Sequence, residues 1–196
     1  MDNMTFDLNR LFSASNKNGD SLSMGAYAGN ASFVVFLKGS HRPDIRFPLT
    51  LGTARELAKR ITKVVETRDK SSRLALCVLK WNRETKKAEI SATVAVSKED
   101  DGIIYLELNA DGSSAKFPLR DSAMLSDGSN PVSAQQRSEL GAGNLVTALT
   151  EQLPQAIMLS SFNKPQRTAG GQGNSSHATG SSNMSTSGFE SSDLPF

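Results

Sequence analysis

The side chains that most often carry catalysis are few in this sequence, and their spacing does not suit it. The chain has two histidines, His41 and His177, and one cysteine, Cys77. Cys77 stands among apolar residues, where a thiol is normally an inert small hydrophobe, and no base is placed to activate it. The sequence contains no Walker motif, zinc-ligand spacing or HExxH motif. We therefore expect a protein that is not an enzyme and uses no metal or cofactor.

Aromatic and cationic residues, in contrast, are interleaved in several predicted strands. Rings on an open sheet face can stack on unpaired bases while neighbouring cations contact phosphates, which suits single-stranded nucleic acid. The same rings would also fit a second core layer or a dimer interface, and this alternative stays open. The residues predicted to contact DNA are Phe33, Lys38, Arg46, Lys80, Trp81, Tyr105 and Lys116.

The last four residues combine negative charge with large apolar side chains. They are Asp193, Leu194, Pro195 and Phe196. A terminal phenylalanine can fill an apolar pocket of a partner while its carboxylate pairs with a basic side chain. The proline restricts the backbone and lowers the entropic cost of ordering. These residues predict a partner-binding tip.

The composition of the chain divides its 196 residues into three parts. Residues 164–190 are mostly Gly, Ser, Thr, Asn and Gln, which bury too little apolar surface to offset the entropy of ordering. We therefore predict a domain at 1–163, a disordered linker at 164–190 and the tip at 191–196. A single cysteine excludes an internal disulfide framework. The net charge of +2 does not by itself indicate nucleic acid.

Hydropathy predicts a protein without a membrane partner. No run approaches the roughly 18 apolar residues of a transmembrane helix, and the mean hydropathy is −0.35. The first ten residues lack a basic stretch followed by an apolar one, so we expect no secretory signal. These features favour a cytoplasmic protein.

Apolar patterns predict the elements that must position these side chains. Strands are predicted at 32–38, 45–49, 74–81, 88–96, 103–108 and 114–119. A helix is predicted to start at Thr53, with Glu56 at the capping-box position and Leu57 and Ile61 on its apolar side. After a loop at 121–140, a second helix is predicted near 145–153.

The sequence also contains a weak internal repeat. Phe47-Pro48-Leu49 matches Phe117-Pro118-Leu119 at an offset of 70. Without a gap, the same offset places Val34 and Phe36 at the core positions of Ile104 and Leu106, and it leaves Phe33 on the open face. The repeat predicts two β-rich units, each closed by a helix, and an early strand around 21–27 would complete the first unit.

The order of β-rich domain, Gly/Ser-rich linker and acidic-apolar tip resembles bacterial and bacteriophage single-stranded DNA-binding proteins. The matching residues are Asp193 to Phe196; the resemblance does not extend to motifs in the domain. It implies a protein that coats single-stranded DNA without strong sequence preference during replication, recombination or repair. It further implies that the tip recruits replication and repair proteins, and that the chain works as a homo-oligomer in a bacterial cell or a phage-infected host.

The predicted fold class is β-rich α+β, with antiparallel sheets and two helices. The element order is similar to the Whirly and coactivator-type single-stranded DNA-binding folds, with a tandem ββββα pseudo-repeat. A five-stranded oligonucleotide-binding (OB) barrel is the alternative. The alternative function is a phage transcription or recombination adaptor whose main partner is a protein such as RNA polymerase.

Overall fold

Two antiparallel four-stranded sheets form the larger part of the fold. The computed structural model describes residues 8, 10–67, 72–123, 126, 128 and 130–162. In each sheet the strands lie side by side in sequence order. The first sheet comprises β1 (Phe12–Ser15), β2 (Ser21–Tyr27), β3 (Asn30–Phe36) and β4 (Ile45–Leu49). The second comprises β5 (Arg73–Asn82), β6 (Lys87–Lys98), β7 (Ile104–Ala110) and β8 (Ser113–Pro118).

A helical segment follows each sheet. The first helix is α1 (Leu51–Glu66). After the second sheet, α2 (Ala134–Thr147) continues through a π-helical turn at Ala148–Gln152 into α3 (Leu153–Phe162). The β-rich α+β class with antiparallel sheets is therefore confirmed, and the early strand predicted around 21–27 is β2.

Helices α1 and α3 each pack on the sheet of the other half of the chain. Helix α1 contacts β5 and β6, whereas α3 contacts β2 and β3. The Arg60 guanidinium on α1 donates a hydrogen bond to the carbonyl of Ala75 on β5. At the other end, the backbone N–H of Gly29 donates to Ser160 Oγ on α3 at 3.1 Å. This exchange joins both sheets and all the helices in one hydrophobic core.

In the strands that line the core, buried residues alternate strictly with residues on the outer face of the sheet. In β4, Ile45, Phe47 and Leu49 are buried, and in β8 Phe117 is also completely buried. Burying a large apolar side chain of this kind contributes about 1.5–3 kcal/mol. Tight hairpins preserve the alternation: Asp111 and Gly112 both have positive φ, as a two-residue turn between β7 and β8 requires.

The prediction that Phe33 lies on the open face is wrong. Phe33 is fully buried and pairs with Phe47, whereas Val34 and Phe36 lie on the opposite face. Phe117 pairs with Leu106. The residue numbers of the two halves therefore differ by 70 between Phe47 and Phe117, but by 73 between their strand partners, Phe33 and Leu106. The connection from β3 to β4 is longer by three residues, and an odd shift exchanges the two faces of a strand. Phe33 is therefore a core residue and cannot contact DNA.

The N-cap of helix α1 lies three residues before the predicted cap, Thr53. Thr50 Oγ1 accepts a hydrogen bond from the N–H of Thr53 at 3.0 Å, so Thr50 is the N-cap. Glu56 does not complete a capping box and instead pairs with Arg60 at 3.0 Å. The predicted apolar stripe is confirmed, since Leu57 and Ile61 are fully buried.

Helix α2 occupies part of the predicted loop at 121–140. A capping box starts it: Ser133 Oγ accepts from the N–H of Gln136 at 3.1 Å, and Gln136 Oε1 accepts from the N–H of Ser133 at 3.0 Å. In the next turn, buried Ser138 accepts from the N–H of Ile104 at 2.8 Å and donates to the carbonyl of Leu119 at 2.7 Å. Because Ser138 occupies a buried position that is usually apolar, the sequence of this segment lacks the apolar spacing from which a helix is predicted.

The hairpin of β5 and β6 extends beyond the sheet as a two-stranded arm. A register shift between Val78 and Leu79 marks its base, where the Ser91 hydroxyl donates to the Val78 carbonyl at 3.2 Å. We call the segment from Leu79 to Ile90 the arm. Leu79 pairs with Ile90, and both side chains are largely exposed.

None of the helices in the described part of the chain is long and apolar enough to cross a membrane. The predicted linker at 164–190 and the predicted tip at 191–196 lie outside the described residues.

Candidate nucleic-acid interface

A cleft forms where the outermost strands of the two sheets, β1 and β8, come together. The side-chain amide of Asn16, just after β1, donates to the backbone carbonyl of Lys116 on β8 at 3.2 Å. The same amide donates to Asp20 at 2.7 Å, which fixes the turn between β1 and β2. We call this feature the β1–β8 cleft; its volume is about 720 Å³.

Cations outnumber carboxylates in the lining of the β1–β8 cleft. The cationic residues are Lys17, Lys116, Arg120 and Arg137, and the carboxylates are Asp101 and Asp121. Lys17, Arg120 and Arg137 take no part in the ion pairs found among the described residues. Their charges are therefore available to a bound anion, as a phosphate backbone requires.

Tyr105 and Lys116, both predicted DNA contacts, lie together in the cleft. They occupy the neighbouring strands β7 and β8, and Lys116 Nζ lies 4.4 Å from the centroid of the Tyr105 ring. Such a separation is typical of a cation–π contact. Burial raises the pKa of Tyr105, and the nearby carboxylates of Asp101 and Glu99 raise it further. The ring therefore remains uncharged near neutral pH, as stacking on a base beside phosphates requires.

Helix α2 holds two arginines at the cleft. The backbone N–H of Asp121 donates to the Arg137 carbonyl at 2.9 Å, which joins the end of β8 to α2. At Gly141 the approach is so close that an added Cβ would lie 2.6 Å from the Arg120 backbone nitrogen. Only glycine permits this contact, and the contact places Arg120 and Arg137 on the same rim.

Asp121 remains ionised at that rim. A hydrogen bond from the N–H of Ala123, at 2.7 Å, lowers the pKa of Asp121, and the Asn144 side-chain amide at 2.8 Å lowers it further. The carboxylate is thus already engaged by two donors. It limits the positive potential of the cleft without forming an ion pair with the arginines among the described residues.

The outer face of the second sheet continues from the cleft towards β5. Glu107 lies beside Lys116 in the register and pairs with Arg73 at 3.3 Å. Burial alone would raise the pKa of Glu107, but hydrogen bonds from Asn109 and Arg73 outweigh it and make the net shift downward. Cys77, farther along β5, is exposed and lies 3.6 Å from Thr93 Oγ1, so it is not the buried thiol that its apolar neighbours suggest.

The arm carries the predicted contacts Lys80 and Trp81. Trp81 is 62% exposed and alternates with Leu79 on one side of the hairpin. The turn at the end of the arm is held by Asn82, whose side-chain amide donates to both Glu89 oxygens at 3.0 Å. Hydrogen bonds from Asn82 and Thr85 lower the pKa of Glu89. The exposed ring therefore stands on an ordered hairpin.

Arg46 and Lys38 belong to the first sheet and lie outside the β1–β8 cleft. Arg46 is exposed on the outer face, where it lines a second concavity of about 660 Å³ with Tyr27 and Pro48. Lys38 follows β3, and its side chain passes close to Gly19 in the turn between β1 and β2. The structure thus brings Tyr105 and Lys116 together and distributes the other predicted contacts over separate surfaces.

Sequence reasoning missed three of the four cations of the cleft. Arg120 continues the outward alternation of Lys116 and Pro118, so the period-2 pattern of β8 could have revealed it. Arg137 was concealed because its helix was predicted as a loop. Lys17 stands in a segment with no clear pattern, and it lies at the cleft because the neighbouring Asn16 bonds to Lys116, 100 residues away in sequence.

The described residues contain no group of three or more His, Cys, Asp or Glu side chains that could hold a metal ion. No protein-family model matches the chain, and no curated protein or solved structure matches it either.

Proposed function

We propose that this chain is a single-stranded DNA-binding protein that coats unpaired DNA without strong sequence preference during replication, recombination or repair. The observation that carries the proposal is the β1–β8 cleft, in which the uncharged Tyr105 ring lies among four cations. A ring beside cations offers stacking to a base and charge to a phosphate at the same place. Neither contact depends on the identity of the base.

The same geometry favours single strands over duplexes. Tyr105 is half-buried in a concave site, so only a base that has left its stack can reach the face of the ring. In a duplex the bases are paired and stacked, and only the phosphates would be available to the cations. Duplex binding should therefore be weaker and purely electrostatic.

We place the DNA path from the cleft across the outer face of the second sheet to the arm. Arg73 lies across β6 from Tyr105 in the register, and the same side of β5 leads on to Trp81. Adjacent strands are about 4.8 Å apart, so a few nucleotides span this face. Lys80 and Trp81 then supply a second place for charge and stacking, while Arg46 and Lys38 stay predicted contacts of the first sheet.

Two further parts of the proposal concern assembly. The order of four strands and a helix, twice, supports a Whirly-like tandem ββββα arrangement over the OB barrel, and we propose that copies of the chain associate when they coat a strand. The tip at Asp193 to Phe196 would recruit replication or repair proteins. The proposal assigns the chain no catalytic step and places it in the cytoplasm of a bacterial or phage-infected cell.

The experiment that tests this function is a fluorescence anisotropy titration with labelled oligo(dT) and with a duplex of mixed sequence, across a range of salt concentrations. We expect much tighter binding of oligo(dT), with log K falling linearly with log salt. Lys116→Gln should weaken binding. Lys63→Gln on α1, which removes the same charge at a residue that does not line the cleft, is the matched control. Equal affinity for duplex and single strand would contradict the proposal.

A second candidate function is an adaptor whose main partner is a protein such as RNA polymerase. The observation that favours it is the end of α3, where Met158, Leu159 and Phe162 are exposed. Exposed apolar patches of this kind often mark protein interfaces. The adaptor would bind its protein partner in the absence of DNA and would show weak affinity for oligo(dT), so the same titration separates the two functions.

A further inference from the structure

Lys116 is held by two groups at once in the cleft. Its ammonium forms an ion pair with Glu99 and also lies over the face of the Tyr105 ring, 4.4 Å from the centroid. Its nearest carboxylate in the strand register, Glu107, is taken by Arg73 at 3.3 Å. Glu99 is therefore the carboxylate that fixes where the Lys116 ammonium lies.

The backbone holds Glu99 firmly in this position. Its N–H donates to the carbonyl of Ile103 at 3.1 Å, and its carbonyl accepts from the N–H of Gly102 at 2.8 Å. The turn between β6 and β7 is thus closed on both sides of Glu99. Its carboxylate occupies the place beside Lys116 that a DNA phosphate would take, because both are oxyanions that pair with an ammonium.

A base cannot stack on this face of Tyr105 while Lys116 covers it. We propose that Glu99 acts as a stand-in for phosphate: it holds Lys116 over the Tyr105 ring until a DNA phosphate captures the ammonium and uncovers the ring. Phosphate pairing and base stacking are then coupled, so a polyanion without bases gains only the first of the two contacts. Glu99 is a positioning residue: every ligand that binds Lys116 must displace its ion pair with Glu99, and only a ligand with bases offsets that cost by stacking on the Tyr105 ring. This inference rests on the proposed function.

The test is Glu99→Gln, which keeps the size of the side chain and removes its charge. We expect about a two- to fivefold higher affinity for oligo(dT) at low salt, the range of a partly exposed ion pair. The slope of log K against log salt should become steeper by up to about 0.7, the value for one phosphate contact with a single strand, because no carboxylate is freed to take up a cation. The affinity for inorganic polyphosphate, which has no bases, should rise by no more than the same factor, because it displaces the same ion pair.

Two controls separate this mechanism from a general change in charge. Asp111→Asn makes the same change of charge at the far end of the β7–β8 hairpin, and we expect it to leave the affinity nearly unchanged. In a Lys116→Gln background, Glu99→Gln should have no effect. An equal gain in that background, or an equal gain from Asp111→Asn, would overturn the role of Glu99.

A measurement without DNA tests the same contact. In proton NMR, the ε-methylene signals of Lys116 should be shifted upfield by the Tyr105 ring, and Glu99→Gln should move them towards the values of a free lysine. Unchanged signals would refute the inference whether or not the chain binds DNA. If those signals move but the wild-type protein does not bind oligo(dT), the proposed function fails while the positioning role of Glu99 stands.

Discussion

Tyr105 is the residue proposed to stack on a base in the cleft. Its ring lies beside Lys116, its hydroxyl stays protonated because burial raises its pKa, and Pro118 is its partner in β8. We expect Tyr105→Ala to weaken oligo(dT) binding by about 1–3 kcal/mol, the usual contribution of one base–ring stack. Tyr105→Phe keeps the ring and should retain most of the affinity. Anisotropy titration of the two folded variants measures the difference, and equal losses in both would show that the hydroxyl, not the ring, is the contact.

Phe33 tests the placement of an aromatic side chain in the hydrophobic core instead of at the candidate interface. Because the side chain is fully buried against Phe47, Phe33→Ala should lower the free energy of unfolding by about 3–5 kcal/mol. Phe36→Ala, three residues away on the outer face of the same strand, should cost clearly less. Urea denaturation compares the two variants. A small loss for Phe33→Ala would contradict the burial that removes this residue from the candidate interface.

At the scale of elements, the arm is a separate unit of the proposed interface. Trp81 is the only tryptophan in the chain, so its fluorescence reports contact with DNA directly. We expect oligo(dT) to quench it, and Trp81→Ala to weaken binding by about 1–3 kcal/mol. Because the side chain is mostly exposed, the free energy of unfolding should change by no more than about 0.5 kcal/mol.

Leu79→Ala provides the control for the arm, since it removes a neighbouring exposed apolar side chain that cannot stack. It should leave DNA affinity nearly unchanged. Unquenched fluorescence at saturating oligo(dT) would exclude the arm from the DNA path and leave its apolar side to a protein contact.

Local patterns predicted the strands well because successive residues of each strand alternate between the buried face and the outer face of the sheet. The predicted strand 45–49 coincides with β4, and β6 and β8 differ from their predictions by only one or two residues at each end. The start of α2 was missed because Ser138 is buried through hydrogen bonds and not through apolar contact. Phe33 was misplaced because the loop between β3 and β4 is three residues longer than the loop between β7 and β8, which exchanges the buried and outer faces of β3 relative to the predicted alignment. The pattern within one strand does not reveal such a difference in loop length.

The cleft itself could be only half predicted. Tyr105 and Lys116 follow from alternation in adjacent strands, whereas the approach of β1 to β8 rests on Asn16 and Lys116, which are 100 residues apart in sequence. Sequence spacing contains no sign of that approach. The same holds for the exchange in which α1 covers the second sheet and α3 covers the first.

At the scale of the whole molecule, the proposed function gives the tip at Asp193 to Phe196 a role of its own. The carboxylate of Asp193 would compete weakly with phosphates for the cations of the proposed DNA site. Deleting Asp193 to Phe196 should therefore leave oligo(dT) affinity intact or slightly higher at low salt. The increase should fade at physiological salt, where charges are screened over about 8–10 Å.

The same deletion should abolish binding of replication or repair partners, because the deleted residues are the proposed contacts. Pull-down with the full chain and with the deleted chain measures this loss, and Phe196→Ala serves as the point-variant control. If the deletion removed DNA binding, or left the set of captured proteins unchanged, the resemblance of the tip to single-stranded DNA-binding proteins would be misleading.

The most direct test of the central claim is photochemical crosslinking of the full chain to an oligonucleotide that contains 5-iodouracil, followed by mass spectrometry of the digested complex. Irradiation joins such a base to an aromatic side chain that stacks on it. Binding in the cleft predicts a major crosslink at Tyr105 that is lost in Tyr105→Ala. Crosslinks confined to Tyr27 and the first sheet, with none at Tyr105, would contradict the claim that single-stranded DNA binds in the β1–β8 cleft.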